Sequence, residues 1–402
     1  MNIDKHGRGP AAWSCALAAD TFKQGRSNSL KRGRPVTLGD RLDTRDNALN
    51  FVRLLLAGLV IVSHTWPSGG FGADPRLGDL SLGSWAVAGF FAISGYLVTG
   101  SRMSLPLGRF GLRRILRIYP GYWACLIVVA FMFAPLAALG TGRSFDLSRA
   151  TRFVWSNVTT VLLQLKIGRE LEGVPYPNVW DASVWTLQFE LTCYVLIGLV
   201  LCLEWARHDL TRTTLTVCVI LTVYNFSAAR MGIVRGTSIT DFFRMAAYFA
   251  AGSLLWSLRD RIRINRWWVT GSVCILVLLA MFGVVDLWGA LPLAYLVLTL
   301  GALCPVLRGV KCDLSYGVYV YAWPVQEGLA LAGVQRFGPL VFIVAAVTLV
   351  APLAWLSWTF VEQPALRMVP RRSPVAVLKD VGHSRDSNVA IAENGSAERV
   401  IP

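Results

Sequence analysis

Ten apolar stretches, each close to the length of a bilayer-crossing helix, recur along this chain with basic residues between them. They fall roughly at 50–66, 84–100, 118–139, 182–203, 212–227, 241–258, 267–287, 289–307, 313–332 and 338–360. The hydrocarbon of a membrane offers no water to backbone N–H and C=O groups, so such stretches must fold as helices that satisfy their own backbone. About 20 residues of helix are enough to cross, and slightly fewer serve within a bundle. The balance of residues agrees. Only 16% of the 402 residues are charged and 54% are hydrophobic, whereas soluble domains carry about 25% charged residues. The expected fold is therefore all-α: a polytopic integral membrane protein with about ten transmembrane helices. The seventh and eighth are separated only by Trp288 and its neighbours, which predicts a tight hairpin or a shifted boundary.

A formal charge of +15 raises the question of nucleic acid. The basic residues lie between the apolar stretches, where they act as topology signals, and this excludes a nucleic-acid partner. With the N-terminus in the cytoplasm, 29 of the 39 Lys and Arg residues fall on the cytoplasmic side. Five of the other ten lie in the long 140–181 segment, where charge counts little toward orientation. The reading is N-in and C-in. Residues 1–49 form a basic cytoplasmic arm, largely disordered and without the apolar core of a signal peptide. Residues 50–368 form the membrane domain, and 369–402 a polar, disordered cytoplasmic tail. The eight cysteines show no CxxC or metal-like spacing and read as small apolar residues. No metal ligand set is expected.

Within this apolar background the ionisable residues stand out. His64 and Arg53 share the first stretch, eleven residues apart. That is about 16 Å and almost three turns of helix, so both occupy one face near opposite ends of the span. Ionisable groups at membrane depth are costly and point to function. The plainer reading is an arginine snorkelling to the interface and a histidine bonded to a neighbouring helix. Residues Arg109 to Pro120 read RFGLRRILRIYP. Arg113 and Arg117 stack at i and i+4 with Arg114 beside them, on a short amphipathic segment that Pro120 should end. Three arginine forks suit the phosphates of a soluble donor or the headgroups of anionic lipid.

Glu190, in the stretch DASVWTLQFELTCYVL, is expected in the outer half of a span entering from outside. There it would pair with His64 and orient the ring; Thr192, a backbone group and Arg244 are its other candidate partners. Ser94 and Gly95 in FFAISGYL suit close helix packing. The run SYGVYVYAWPVQE, Ser315 to Glu327, carries Tyr316, Tyr319 and Tyr321 and a Pro324 kink, as a broken helix beside a polar cavity would. Ser94, Trp185 and Tyr319 are candidate pocket or oxyanion donors. Tyr176 and Trp180, in the 140–181 segment, suit sugar contacts or an interfacial aromatic belt.

Taken in order, these stretches resemble the membrane acyltransferase-3 family: the spacing of Arg53 and His64, FFAISGYL, the RRxxR turn followed by IYP, VWTLQFE, SYGVYVYAWPVQ and FVEQPALR at 360–367. The resemblance covers about 50 to 368. It implies ten core helices and transfer of an acyl group, usually acetyl, from cytoplasmic acyl-CoA to a hydroxyl of an envelope or exported glycan or glycolipid, such as exopolysaccharide or lipopolysaccharide. Acyl-CoA would be a co-substrate, with no permanently bound cofactor and the inner membrane as the site of action. His64 would be catalytic, and Arg53, Arg113, Arg114 and Arg117 would contact the donor. His64, with Glu190, would act either as general base or through a covalent acyl-histidine. The chain departs from some members by placing Trp323, not histidine, before Pro324, and by ending in a short tail where they carry a hydrolase-like domain. A proton-coupled transporter or flippase could use the same His, Glu and Arg, but the two halves lack the matching interrupted helices of that class.

Overall fold

The computed structural model describes residues 36–43, 47–233, 238–303 and 312–369. Most of the N-terminal arm, the tail from 370, and Cys15 and Cys304 lie outside the described residues. The apolar stretches fold as ten helices of 14 residues or more: α1 Leu49–Gly69, α2 Leu82–Ser104, α3 Leu107–Val128, α4 Leu187–Val200, α5 Leu210–Arg230, α6 Ser238–Ser257, α7 Arg266–Met281, α8 Ala290–Leu303, α9 Ser315–Leu331 and α10 Pro339–Ser357. Four helical runs among the described residues are long and apolar enough to cross a membrane by themselves: Leu49–Gly69, Leu82–Ser104, Leu107–Thr141 and Pro339–Arg367. Val184–Val200, Arg266–Met281 and Ala290–Leu303 are apolar but shorter. The only strands among the described residues are a two-stranded hairpin, Arg76–Leu77 with Leu80–Ser81, just before α2. The link between α7 and α8 is a single helical turn, Val285–Trp288.

Three boundaries differ from expectation, each for a physical reason. Residues 36–43 belong to the arm expected to be disordered, yet Leu38–Leu42 is a helical turn with a capping box between Thr37 and Asp40. Thr37 also bridges to Arg263, which ties the turn to the loop before α7. The arginine turn is not a separate surface segment ended by Pro120. It is the first half of α3, which continues through Pro120 and a π-helical turn, Val129–Phe133, to Thr141. Proline removes one backbone bond, and membrane helices tolerate this when neighbours supply polar groups. The carbonyl that Pro120 leaves open is that of Leu116; close by, the Tyr316 hydroxyl of α9 donates to the Ile118 carbonyl at 2.7 Å.

The third difference concerns α4. Its expected 22-residue span holds a 14-residue helix preceded by a 3-10 turn, Val184–Thr186. The chain before it is itself sunk into the protein, with Trp180, Asp181 and Ser183 all buried. Asp181 holds that entrance by accepting from the Ser183 backbone N–H and hydroxyl at 3.0 and 2.7 Å. The helix therefore begins deep. At its far end Arg102 of α2, buried, donates to the carbonyls of Gly198 and Leu201 at 3.1 and 3.2 Å. A cation on these last carbonyls satisfies groups that a helix end leaves open.

Two helix pairs organise the rest. The α2 and α6 helices approach backbone to backbone. A Cβ on Gly95 would stand 1.9 Å from the Phe249 carbonyl oxygen, and one on Gly252 2.0 Å from that of Ala92. The α1 and α9 helices run parallel and are pinned at both ends. Arg53 meets Asp313 at one end, and the Gln326 amide donates to the Ile61 carbonyl and Thr65 hydroxyl at the other, at 2.9 and 3.1 Å.

Candidate functional site

The arginines predicted from sequence converge. Arg53 of α1 and Arg113, Arg114 and Arg117 of α3 line one cavity of about 1150 Å³, together with Ser94, Tyr194, Asp313 and Arg367. Because α3 is one continuous helix from Leu107, the turn that bears the arginines is held rigidly against the bundle rather than lying loose at its surface.

Their charge is partly balanced. A single oxygen of Asp313, Oδ2, accepts from Arg53 at 2.6 Å and from Arg117 at 2.5 Å. Its other oxygen accepts from the Ser315 hydroxyl at 2.6 Å. Buried Glu362 stands 3.8 Å from Arg117 and accepts from Ser357. Arg117 also lies 5.6 Å from the ring centre of Tyr316. The Arg114 guanidinium sits over Tyr194 and Phe110, 5.6 and 5.9 Å from their ring centres, a placement that favours a cation. Arg113 makes no ion pair among the described residues. The cavity thus gathers five guanidiniums against one fully engaged carboxylate and one more distant one, a field suited to an anion with several phosphate oxygens.

Asp313 and Glu362 escaped the sequence reading. Asp313 stands beside Lys311 at the start of an apolar stretch, where an acid reads as a partner of its neighbours. Its partners lie 260 and 196 residues away.

Glu190 does not meet His64. Its Oε1 accepts from the Ser94 hydroxyl of α2 at 2.7 Å and from the Tyr194 hydroxyl one turn along α4. Neither Thr192, which bonds the Gln188 carbonyl, nor Arg244, which pairs with Asp241 and Asp286, is its partner. Glu190 and Tyr194 stand one turn apart on α4, which turns both toward Ser94 of α2. Glu190 also lines a narrow chamber of about 30 Å³ with Arg53, Phe90, Thr186, Tyr316 and Tyr319. Arg53 borders both spaces.

Tyr319 is among the residues that line this chamber and His64 is not. One turn along α9 from Tyr319, Trp323 meets the imidazole edge to face with ring centres 4.9 Å apart. Tyr176, from the 140–181 segment, also meets Trp323 edge to face at 5.0 Å. The Trp323 indole N–H donates to the Val179 carbonyl. His64 Nδ1 is buried and has no hydrogen-bond partner among the described residues. The ring is aimed by its helix: Ser63 accepts from the Gly83 N–H at 2.8 Å, and Ser68 donates to the His64 carbonyl at 2.6 Å. Of the candidate oxyanion donors, two are already committed. Ser94 serves Glu190, while Tyr319 donates to the Ser183 carbonyl at 2.5 Å and bonds Thr186 at 2.6 Å. Trp185 packs on Phe189 with ring centres 5.4 Å apart. Trp180 is buried.

Comparison with known proteins gives the family. The family pattern described as an acyltransferase domain, Acyl_transf_3, matches residues 46–359. The chain belongs to the acyltransferase-3 family. It is 30% identical over 371 residues to nodulation protein 10 of Rhizobium leguminosarum bv. viciae, covering 82% of this chain and 97% of that protein. It is 26% identical over 345 residues to the O-acetyl transferase of Shigella phage Sf6, covering 82% and 98% respectively. No solved structure matches. As an acyltransferase with several membrane-spanning helices, the protein needs an acyl donor, an acceptor and a bilayer. The described residues hold no group of three or more His, Cys, Asp or Glu side chains arranged to bind a metal.

Proposed function

We propose that this acyltransferase moves an acyl group, acetyl by preference, from cytoplasmic acyl-CoA to a hydroxyl of an envelope or exported glycan. The topology we adopt has ten crossings of the inner membrane, with both termini in the cytoplasm. The observation that carries the reading is the convergence of Arg53, Arg113, Arg114, Arg117 and Arg367 on one cavity, on the side of α1 away from His64. The phosphates of the donor dock on these guanidiniums. Its pantetheine arm enters the narrow chamber and carries the thioester past Tyr319 toward His64. The Arg53–His64 separation of about 16 Å is within reach of an extended arm of that kind. O-acetyl transfer by the phage Sf6 relative supports the choice of acetyl and of a hydroxyl acceptor.

Chemically, the imidazole of His64 takes the proton of the acceptor hydroxyl as its oxygen attacks the thioester carbonyl. The tetrahedral adduct collapses with cleavage of the C–S bond. The departing CoA sulfur takes the proton from the imidazolium, which returns His64 to its starting state. Glu190 is bonded elsewhere, so His64 works without a carboxylate partner.

The test is release of free CoA from labelled acetyl-CoA by the purified protein supplied with envelope glycan, alongside mass analysis of glycans from cells with and without the gene. His64→Ala should abolish release while its membrane level stays normal. A variant that acetylates as the wild type does would end this assignment.

A further inference from the structure

Glu190, left without the role that pairing with His64 would give it, lines a narrow chamber together with Arg53, which also lines the arginine cavity. We infer that Glu190 is the contact that recognises the amide N–H of the donor's pantetheine arm, making it a specificity residue for the donor; this rests on the acyl-CoA reading above.

The chamber that Glu190 lines is two-sided. Val87, Phe90, Phe91 and Leu187 give it an apolar wall, while Arg53 and Glu190 are the charged groups among its lining residues. Few donors have matching chemistry. A pantetheine arm carries methyl and methylene groups alternating with two secondary amides. In so narrow a space each amide N–H must find an acceptor or lose its hydrogen bond to water without return. The hydroxyls near the chamber already have partners, and a carboxylate accepts more strongly than a hydroxyl. Tyr319 is engaged with Thr186 and with the Ser183 carbonyl. Ser94 and Tyr194 both donate to one oxygen of Glu190, Oε1. The second oxygen, Oε2, makes no hydrogen bond among the described residues, and so it remains to accept from a ligand. Arg53, across the chamber, holds a donor for an amide carbonyl.

This arrangement makes Glu190→Gln an informative change. The two hydroxyls hold the remaining carbonyl oxygen at the Oε1 position, so the new NH₂ group takes the Oε2 position. An acceptor becomes a donor at unchanged shape.

The experiment measures binding of two ligands to the full-length protein in lipid nanodiscs: CoA, which has the arm, and adenosine 3′,5′-bisphosphate, which has phosphates but no arm. Glu190→Gln should weaken CoA by about tenfold or more, the scale of one charge-assisted hydrogen bond, and leave the bisphosphate within about twofold. Unchanged bisphosphate binding also certifies that the cavity is intact. Glu190→Asp, which keeps the charge but withdraws it by one methylene, should weaken CoA alone, and it decides the matter if the glutamine variant does not fold. Equal shifts for both ligands would mean that Glu190 acts only through its charge on the phosphates, and would overturn the inference. Failure of both ligands to bind the wild-type protein would instead overturn the donor reading on which it stands.

Discussion

The α2–α6 and α1–α9 pairs are both close helix contacts, yet they are made of opposite materials. The first is a seam of small residues, where Gly95 and Gly252 let backbone oxygens lie where a Cβ would otherwise be. Among its few polar contacts, the Ser253 hydroxyl donates to the Phe249 carbonyl of its own helix at 3.0 Å. The second is joined by Arg53–Asp313 at one end and by Gln326 at the other, with the His64–Trp323 contact between them in sequence. Lipid is as apolar as a helix surface, so tight packing and internal polar bonds must hold a bundle together. The glycine seam relies chiefly on packing, with one bond across it from the Ser253 hydroxyl to the Gly95 carbonyl at 3.3 Å. The polar seam satisfies groups that would otherwise be stranded, and it is where a hydrophilic donor can enter.

The largest effects should separate the two seams cleanly. Gly95→Val forces side-chain atoms into the Phe249 carbonyl and should abolish accumulation of folded protein in the membrane, as seen by detergent-solubilised size-exclusion profile. His64→Ala removes a group from the polar seam without filling space. It should leave that profile normal and lower transfer by about 10²–10⁴-fold, the range for loss of a general base. If the glycine variant accumulated normally, the α2–α6 contact would not be the close-packed element described here.

Much of this architecture could be read from the sequence, and the reason is chemical. Hydropathy reports the bilayer directly, so the apolar stretches are helical among the described residues, although α3 starts well before its stretch and α4 is shorter than expected. The arginine cluster was also legible, because charges are rare in this chain and four of them marked one end of two stretches. The partners of Glu190, Ser94 and Tyr194, were missed because the reading counted position only from where apolarity begins. The buried Trp180–Ser183 entrance shows that the chain is already inside the protein there. Long-range pairings such as Asp313 with Arg53 leave no local trace, because neither partner's neighbours change to announce it. The edge-to-face contacts of Trp323 with His64 and Tyr176 were hidden for the same reason, although each residue was noticed by itself.

A smaller effect should follow from Asp313→Asn, which leaves Arg53 and Arg117 facing each other without their shared anion. Breaking a fully buried ion pair costs about 3–5 kcal/mol, and the opening to the cavity should reduce that to about 2 kcal/mol. Thermal unfolding in nanodiscs measures it. The variant should also gain more stability from added CoA than the wild type does, because phosphate then supplies the missing negative charge. Equal protection of both proteins would argue that the two guanidiniums do not contact the ligand.

The least effect is expected where the same kind of ion pair lies in water. Glu172, in the 140–181 segment, accepts from Arg169 at 2.7 Å and lies 3.1 Å from Arg143. The hydrogen bonds from Arg169 and then Arg143 lower its pKa from 4.5 to about 2. A folded-state value below the ordinary one means that the pairing stabilises the loop above about pH 4.5 and that this contribution fades as pH falls toward about 2. Limited proteolysis of the segment should therefore be constant near neutrality and rise only below about pH 4, and Glu172→Gln should remove that dependence. Exposed pairs contribute little, at most tenths of the effect of a buried one, so transfer activity at neutral pH should change less than twofold. A large loss in Glu172→Gln would show that this cluster also organises the acceptor side near Tyr176. The contrast between the watery Glu172 cluster and the enclosed Asp313 cluster would then no longer divide surface from site.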